Sequence, residues 1–145
     1  HAVTALVFLM ILSGGFVAGT KAGFAFNTFP LMNGRFVPEG LYAMQPFWTN
    51  LFENVATVQF NHRLLAYLLC IVIPLFWWQA IRAGLAPPAR RAAQLLLGWL
   101  VVQVGLGIAT LVYVVPVSLG AAHQAGALVL FSLALYTLHG LRRAR

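Results

Sequence analysis

His62 and His123 are the two residues of this sequence best suited to hold a reactive group. Each stands near the start of a long apolar run, and the runs close on basic residues, Arg82 and Arg142. His62 precedes Arg82 by 20 residues and His123 precedes Arg142 by 19. At 1.5 Å rise per helical residue both spacings come to ~30 Å, the thickness of a bilayer's hydrocarbon core. The two imidazoles are therefore expected at one depth on two parallel helices. With no Asp or Glu in the runs and a lone cysteine, Cys70, there are too few ligands for zinc. Two imidazoles suffice for haem iron, because the macrocycle fills the remaining positions. Arg63, beside His62, is the candidate partner of a propionate carboxylate. Gly120, Gly126 and Ala127 around His123, and Ala66 after His62, are small enough to leave room for a flat macrocycle. A single histidine at the end of an apolar run is more often interfacial than a ligand; the matched depth is what favours ligation. His139, 16 residues beyond His123 and ~24 Å deeper, has no histidine counterpart at its level and is read as interfacial. His1 is terminal and uninformative.

The elements that must carry these residues follow from composition. Of 145 residues 61% are hydrophobic and 8% charged, whereas soluble domains run near ~25% charged. So few charges cannot cover a soluble globule, and such an apolar chain is not disordered. Four runs meet the length of a bilayer-spanning helix, over residues 2–20, 57–82, 92–115 and 119–141. The expected fold is an all-α membrane protein of one domain, an up-down bundle of four transmembrane helices with a long outer loop between helices 1 and 2. In that arrangement helices 2 and 4, which carry the histidines, lie diagonally across the core. The first run lacks a basic leader and a small-residue exit, so it is read as a span and not a signal peptide. The chain opens on His1 and not methionine, and is read as a piece of a longer protein.

The net charge of +7 invites comparison with nucleic-acid binders, but the basic residues are sparse and sit at span ends. Arg82, Arg90, Arg91, Arg142, Arg143 and Arg145 share one side, against Lys21, Arg35 and Arg63 on the other. The Arg-rich side is assigned to the cytoplasm or matrix and the 21–56 loop to the outside. Phe24, Phe26, Phe29, Tyr42, Phe47, Trp48 and Phe52 give that loop the composition of an interfacial belt. Pro87-Pro88 and Pro116 mark tight connections. The series Gly15, Gly19, Gly23 and the trio Gly98, Gly105, Gly107 read as close helix packing. Gln59, Gln103 and Gln124 read as interhelical hydrogen bonders.

Several strings together resemble one known family. They are Gly15-Phe-Val-Ala-Gly19, Lys21-Ala-Gly-Phe-Ala-Phe-Asn27-Thr-Phe-Pro30-Leu-Met-Asn-Gly34, Glu53-Asn-Val-Ala-Thr-Val-Gln59-Phe-Asn-His62-Arg63 and Ala122-His123-Gln124-Ala. The chain resembles the C-terminal half of the haem A synthase family over essentially its whole length. The resemblance implies an eight-span protein of two similar four-helix halves that oxidises a ring methyl of haem O to a formyl, giving haem A for cytochrome oxidase. It implies that His62 and His123 ligate a haem b cofactor and pass electrons. Lys21, Asn27 and Thr28 of the outer loop are expected to cover the haem edge; loop solvation and turn formation are the alternative for all three. In the family's other half a glutamate three positions before one histidine sits beside the substrate haem. Here that position is Gln59, and the paired cysteines of that half are absent, so catalytic residues are assigned to the missing half. The partners implied are the lipid bilayer, the N-terminal catalytic half, haem O synthase and an electron donor, in a bacterial or mitochondrial inner membrane. Two other readings stay open: a non-catalytic b-type cytochrome anchor, and a haem-free bundle with interfacial histidines.

Overall fold

A computed structural model describes residues 1–143; the charge assigned to Arg145 lies outside the described residues. Four helices form, α1 (Ala2–Gly19), α2 (Val55–Arg82), α3 (Pro87–Val112) and α4 (Val117–Arg143). All four are long and apolar enough to cross a membrane, and no strand forms among the described residues. Each helix packs on the next in sequence and α1 closes on α4, so α2 faces α4, and α1 faces α3, across the diagonals.

The boundaries differ from the sequence expectation where caps and prolines act. Helix α2 starts two residues early because the Asn54 side chain accepts from the Thr57 N–H at 3.0 Å, supplying an N-cap. Helix α3 starts at Pro87, five residues before the expected 92. Pro87 and Pro88 occupy its first turn, where a missing N–H costs nothing and the fixed φ suits a helix. The true connection is residues 83–86, with Gly84 at φ +63°. Helix α3 stops at Val112, three residues short, because Val114 and Val115 enter the left-handed region at φ +59° and +55°. The Val115 N–H closes that turn on the Thr110 carbonyl at 2.8 Å. Helix α4 begins directly after Pro116.

Residues 20–54 link α1 to α2 through two short 3-10 turns, Ala22–Phe24 and Phe47–Leu51. This segment is tied to the bundle by polar groups. The Asn27 Nδ2 donates to the carbonyls of Gly23 (2.7 Å) and of Leu111 on α3 (2.9 Å). Asn50 and Asn54, both buried, are linked at 2.9 Å and bind the carbonyls of Met44 and Gly40. Phe52 meets Phe16 of α1 edge-on at 5.2 Å. Phe24, Phe29, Phe36, Phe47 and Trp48 are left exposed.

The apolar core is one layer through all four helices: Val7 of α1, Leu69 and Ile73 of α2, Leu96 and Leu100 of α3, Leu130 and Ala134 of α4. This layer is the floor on which the histidine site is built.

Candidate functional site

Counting from the core layer places the site. His62 lies seven residues before Leu69, and His123 seven before Leu130. On the helices running the other way, Gly14 lies seven after Val7 and Gly107 seven after Leu100. Seven residues are two helical turns, ~10 Å, and return to nearly the same face. All four positions thus stand one level above the core, on the faces that point inward. The equal depth inferred from the basic boundaries is reproduced by a ruler that owes nothing to them.

At that level each histidine is seated against a glycine of a neighbouring helix. A Cβ built on Gly14 would stand 3.4 Å from the His62 Cε1. One on Gly107 would stand 2.9 Å from the His123 Cε1 and 3.4 Å from its Nε2. Each ring also meets a polar group through Nδ1. For His62 it is Ser13 Oγ at 3.3 Å, and for His123 it is Gln103 Nε2 at 3.1 Å. Gln103, buried on α3, donates to the His123 carbonyl at 2.8 Å as well. Trp99, one turn below Gln103, donates from its indole N–H to the Gly126 carbonyl at 2.8 Å and pins α3 to α4 just beneath the ring. No hydrogen bond reaches Nε2 of either ring among the described residues.

The donor set fits haem iron. Two imidazoles face one level from opposite corners, and among the described residues no three His, Cys, Asp or Glu side chains gather. A tetrahedral metal would lack ligands here, whereas an iron held by a macrocycle needs two axial nitrogens only.

The other sequence candidates sit around the mouth of this level. Arg63 is buried and reaches into the 20–54 segment. Its Nη2 donates to the Phe26 carbonyl at 2.8 Å, and its Nη1 to those of Thr28 (3.0 Å), Pro30 (3.4 Å) and Leu31 (3.4 Å). Only Nε lacks a partner. The sequence reading gave Arg63 to a propionate; in the structure its donors gather loop carbonyls. Gln59, one turn earlier, donates to the same Phe26 carbonyl at 3.1 Å, so it ties the segment to α2 and does not bridge helices as expected. The Thr28 hydroxyl donates to the Leu31 carbonyl and accepts from the Asn33 N–H, both at 2.7 Å, which makes a turn. Asn27 staples the segment to α3 as described. Lys21 is exposed at the end of α1, at φ +56°.

Sequence reasoning missed Ser13 and Gly14 and misread several glycines. Gly15, Gly19, Gly98 and Gly105 are exposed with no atom within 4 Å of where a Cβ would stand, so they make no close helix contact. The close approaches are Gly14, Gly107 and Gly23, the last against Val115 at 3.0 Å. Gly126 does not leave room for a macrocycle, because the Gln103 amide fills the space a Cβ would need. Gly14 and Gly107 were findable: each lies a heptad from a core residue of its own helix. His139 is exposed, well away from the site.

The chain is similar to several known proteins. The chain is 55% identical over 141 residues to the haem A synthase of Nitrosospira multiformis, covering 97% of this chain and 40% of that protein. It is 47% identical over 141 residues to haem A synthase COX15 of Arabidopsis thaliana, covering 97% and 31%. With human haem A synthase COX15 it shares 43% identity over 143 residues, covering 99% and 35%. The chain therefore spans about 40% or less of the length of these curated relatives. No solved structure matches it. The family model for the COX15-CtaA cytochrome oxidase assembly proteins matches residues 1–135, and the chain belongs to that family.

Proposed function

We propose that this chain is the C-terminal half of a haem A synthase and that it holds a haem b between His62 and His123. The observation that carries the reading is the common register: two histidines and two glycines, one per helix, each seven residues from a shared core layer. A haem held there by His62 and His123 would supply one-electron transfer. The residues of this chain do the rest. His62 and His123 present Nε2 at one depth. Gly14 and Gly107 let helices α1 and α3 approach the rings edge-on. Ser13 Oγ and Gln103 Nε2 stand against Nδ1 of the two rings at 3.3 and 3.1 Å, and the Ser13 hydroxyl can accept from Nδ1–H as partners of ligating histidines commonly do.

Arg63 and Gln59 clasp the segment that closes the site's mouth, and Asn27 and Thr28 shape that cover. Lys21 is the exposed cation nearest the start of the cover, and Arg63 Nε and the second hydrogen of Nη2 are the guanidinium donors left to reach a propionate. Conversion of haem O to haem A is assigned to an N-terminal half carrying the catalytic carboxylate, which position 59 here replaces with glutamine. Haem O synthase and an electron donor are the further partners, in an inner membrane with the 20–54 segment outside and the Arg-rich ends in the cytoplasm or matrix. The aromatic side chains of the segment would rest in the interface.

The test is a pyridine haemochrome assay with a reduced-minus-oxidised spectrum of the chain purified in detergent, beside His62→Ala and His123→Ala. The expected result is about one b-type haem per chain, as for a single bis-histidine site. It should be low-spin in the parent and lost or high-spin in each variant. A folded parent free of haem refutes the assignment.

A further inference from the structure

We propose that the end of α2 and the start of α3 form a binding site for the headgroup of an anionic phospholipid. Arg82 closes α2, and Arg90 and Arg91 stand in the first turns of α3, across the short connection 83–86. All three side chains are exposed. No carboxylate answers them. The chain's two acidic residues, Glu39 and Glu53, both lie in the 20–54 segment at the opposite end of the bundle, and Glu39 is paired with Arg35 at 2.7 Å. Among the described residues no hydrogen bond or ion pair engages the side chain of Arg82, Arg90 or Arg91. Arg82 is nevertheless held in place, with Cζ 4.9 Å from the centroid of the Trp78 ring one turn earlier. That contact orders the guanidinium and spends none of its five N–H donors on another oxygen. A planar fork of this kind suits the paired oxygens of a phosphate.

The level beneath the arginines matches the rest of a phospholipid. Gln79 stands three residues before Arg82 and on its face; Gln94 stands four after Arg90 and three after Arg91, on theirs. Both glutamines are exposed, and neither side chain has a partner among the described residues. They lie ~5 Å nearer the membrane centre than the arginines. In a phospholipid the glycerol esters come next inward from the phosphate, and an amide N–H can donate to an ester carbonyl. Deeper again, Leu75 and Leu95 are 50% and 57% exposed, as surface for an acyl chain. Cation, amide and apolar side chain thus succeed one another on both helices in the order phosphate, ester and hydrocarbon. An acidic protein segment would satisfy the arginines and leave both amides facing hydrocarbon, where unpartnered polar groups are costly. Basic clusters between helix ends are the usual place for such headgroups.

The detergent-purified chain, stripped of lipid, is titrated with phosphatidylglycerol and separately with phosphatidylcholine. Bound lipid is counted by native mass spectrometry. Orientation in the membrane is set before purification, so arginines that served only as orientation signals would give no preference here. Each basic residue at an anionic headgroup is worth about fivefold, so the parent should prefer phosphatidylglycerol by roughly 10- to 100-fold. Arg82→Gln, Arg90→Gln and Arg91→Gln are made singly, to spare the fold, and each should lower that preference about fivefold. Arg82→Lys keeps the charge without the fork and should fall between. Gln79→Leu combined with Gln94→Leu should weaken both lipids alike, because both carry the same esters. Arg35→Gln, at the other end of the bundle, should bind as the parent does. Equal binding of the two lipids by the parent overturns the proposal. So does a preference that survives all three arginine substitutions, one lost as fully in Arg35→Gln, or lipid binding untouched by the glutamine pair.

Discussion

Adding a single methyl group at Gly107 should separate a haem ligand from a packing histidine. The Cβ of Gly107→Ala would stand 2.9 Å from the His123 Cε1, with Nε2 and Nδ1 at 3.4 and 3.5 Å. Carbon atoms rest about 3.5–4.0 Å apart, so the ring must retreat by at least ~0.6 Å. Without haem it does so by turning about its own torsions. With Nε2 fixed by a short bond to iron it cannot, and the strain falls on the loaded form alone. Overpacking of this kind costs about 1–3 kcal/mol, which corresponds to roughly 5- to 150-fold in haem affinity. The gain in helix propensity from Gly to Ala, ~1 kcal/mol, is common to both forms and leaves affinity unchanged. Gly14→Ala is the graded comparison, since its Cβ meets the His62 Cε1 at 3.4 Å, close to ordinary contact, and should cost little. Gly105→Ala, two residues away on the same helix with nothing near it, should retain haem as the parent does and unfold at a slightly higher temperature. The assay is transfer of haem to excess apomyoglobin, with thermal unfolding of the haem-free chain alongside. Equal haem loss from Gly107→Ala and Gly105→Ala would refute the argument that His123 is held rigidly at Gly107.

Three further outcomes follow from other parts of the molecule. Arg63→Met strips four loop carbonyls of their charged donor. At about 1.5–3 kcal/mol for a charge-assisted bond, residues 20–54 should come loose, read as faster limited proteolysis there, with Arg63→Lys intermediate because an ammonium cannot span the fork. Val114→Asn should stabilise the α3–α4 turn by roughly 1 kcal/mol, since Asn tolerates the left-handed region that a β-branched residue resists; Val114 is exposed at φ +59°, so little packing is lost. An unchanged melting temperature would count against strain at that turn. Asn54→Ala removes the cap of α2 and the bonds to Gly40 and Asn50, and should lower stability by at least ~1 kcal/mol in thermal unfolding.

Much of this could be read from residue order because a bilayer imposes a simple rule. Backbone groups in hydrocarbon must be satisfied within the segment, so a long apolar run is a helix. Four such runs, the last three joined by short connections, leave little freedom in topology. The depth of His62 and His123 was legible for the same reason, as helical rise converts sequence distance into height. Arg63 and Gln59 were legible as important and not as what they do. A side chain beside a ligand can point into the site or away from it, and the spacing of four residues between them fits either.

Sequence by itself therefore determined the number of helices, the height of the two imidazoles and, through its strings, the family. Tertiary structure decided which glycines matter and what the polar side chains are for. Gly14 and Gly107 look no different from Gly15 and Gly105 in a one-dimensional record, because all lie in apolar runs. What distinguishes them is helix rotation: seven residues from a core position bring a glycine back to the inward face, and one or two residues turn it outward. Gln103 could be named as a hydrogen bonder from its type, but its partner could not be named, because that depends on which α4 residue stands opposite it. The contact between α3 and α4 places His123 there, with its carbonyl and one nitrogen of its ring facing Gln103.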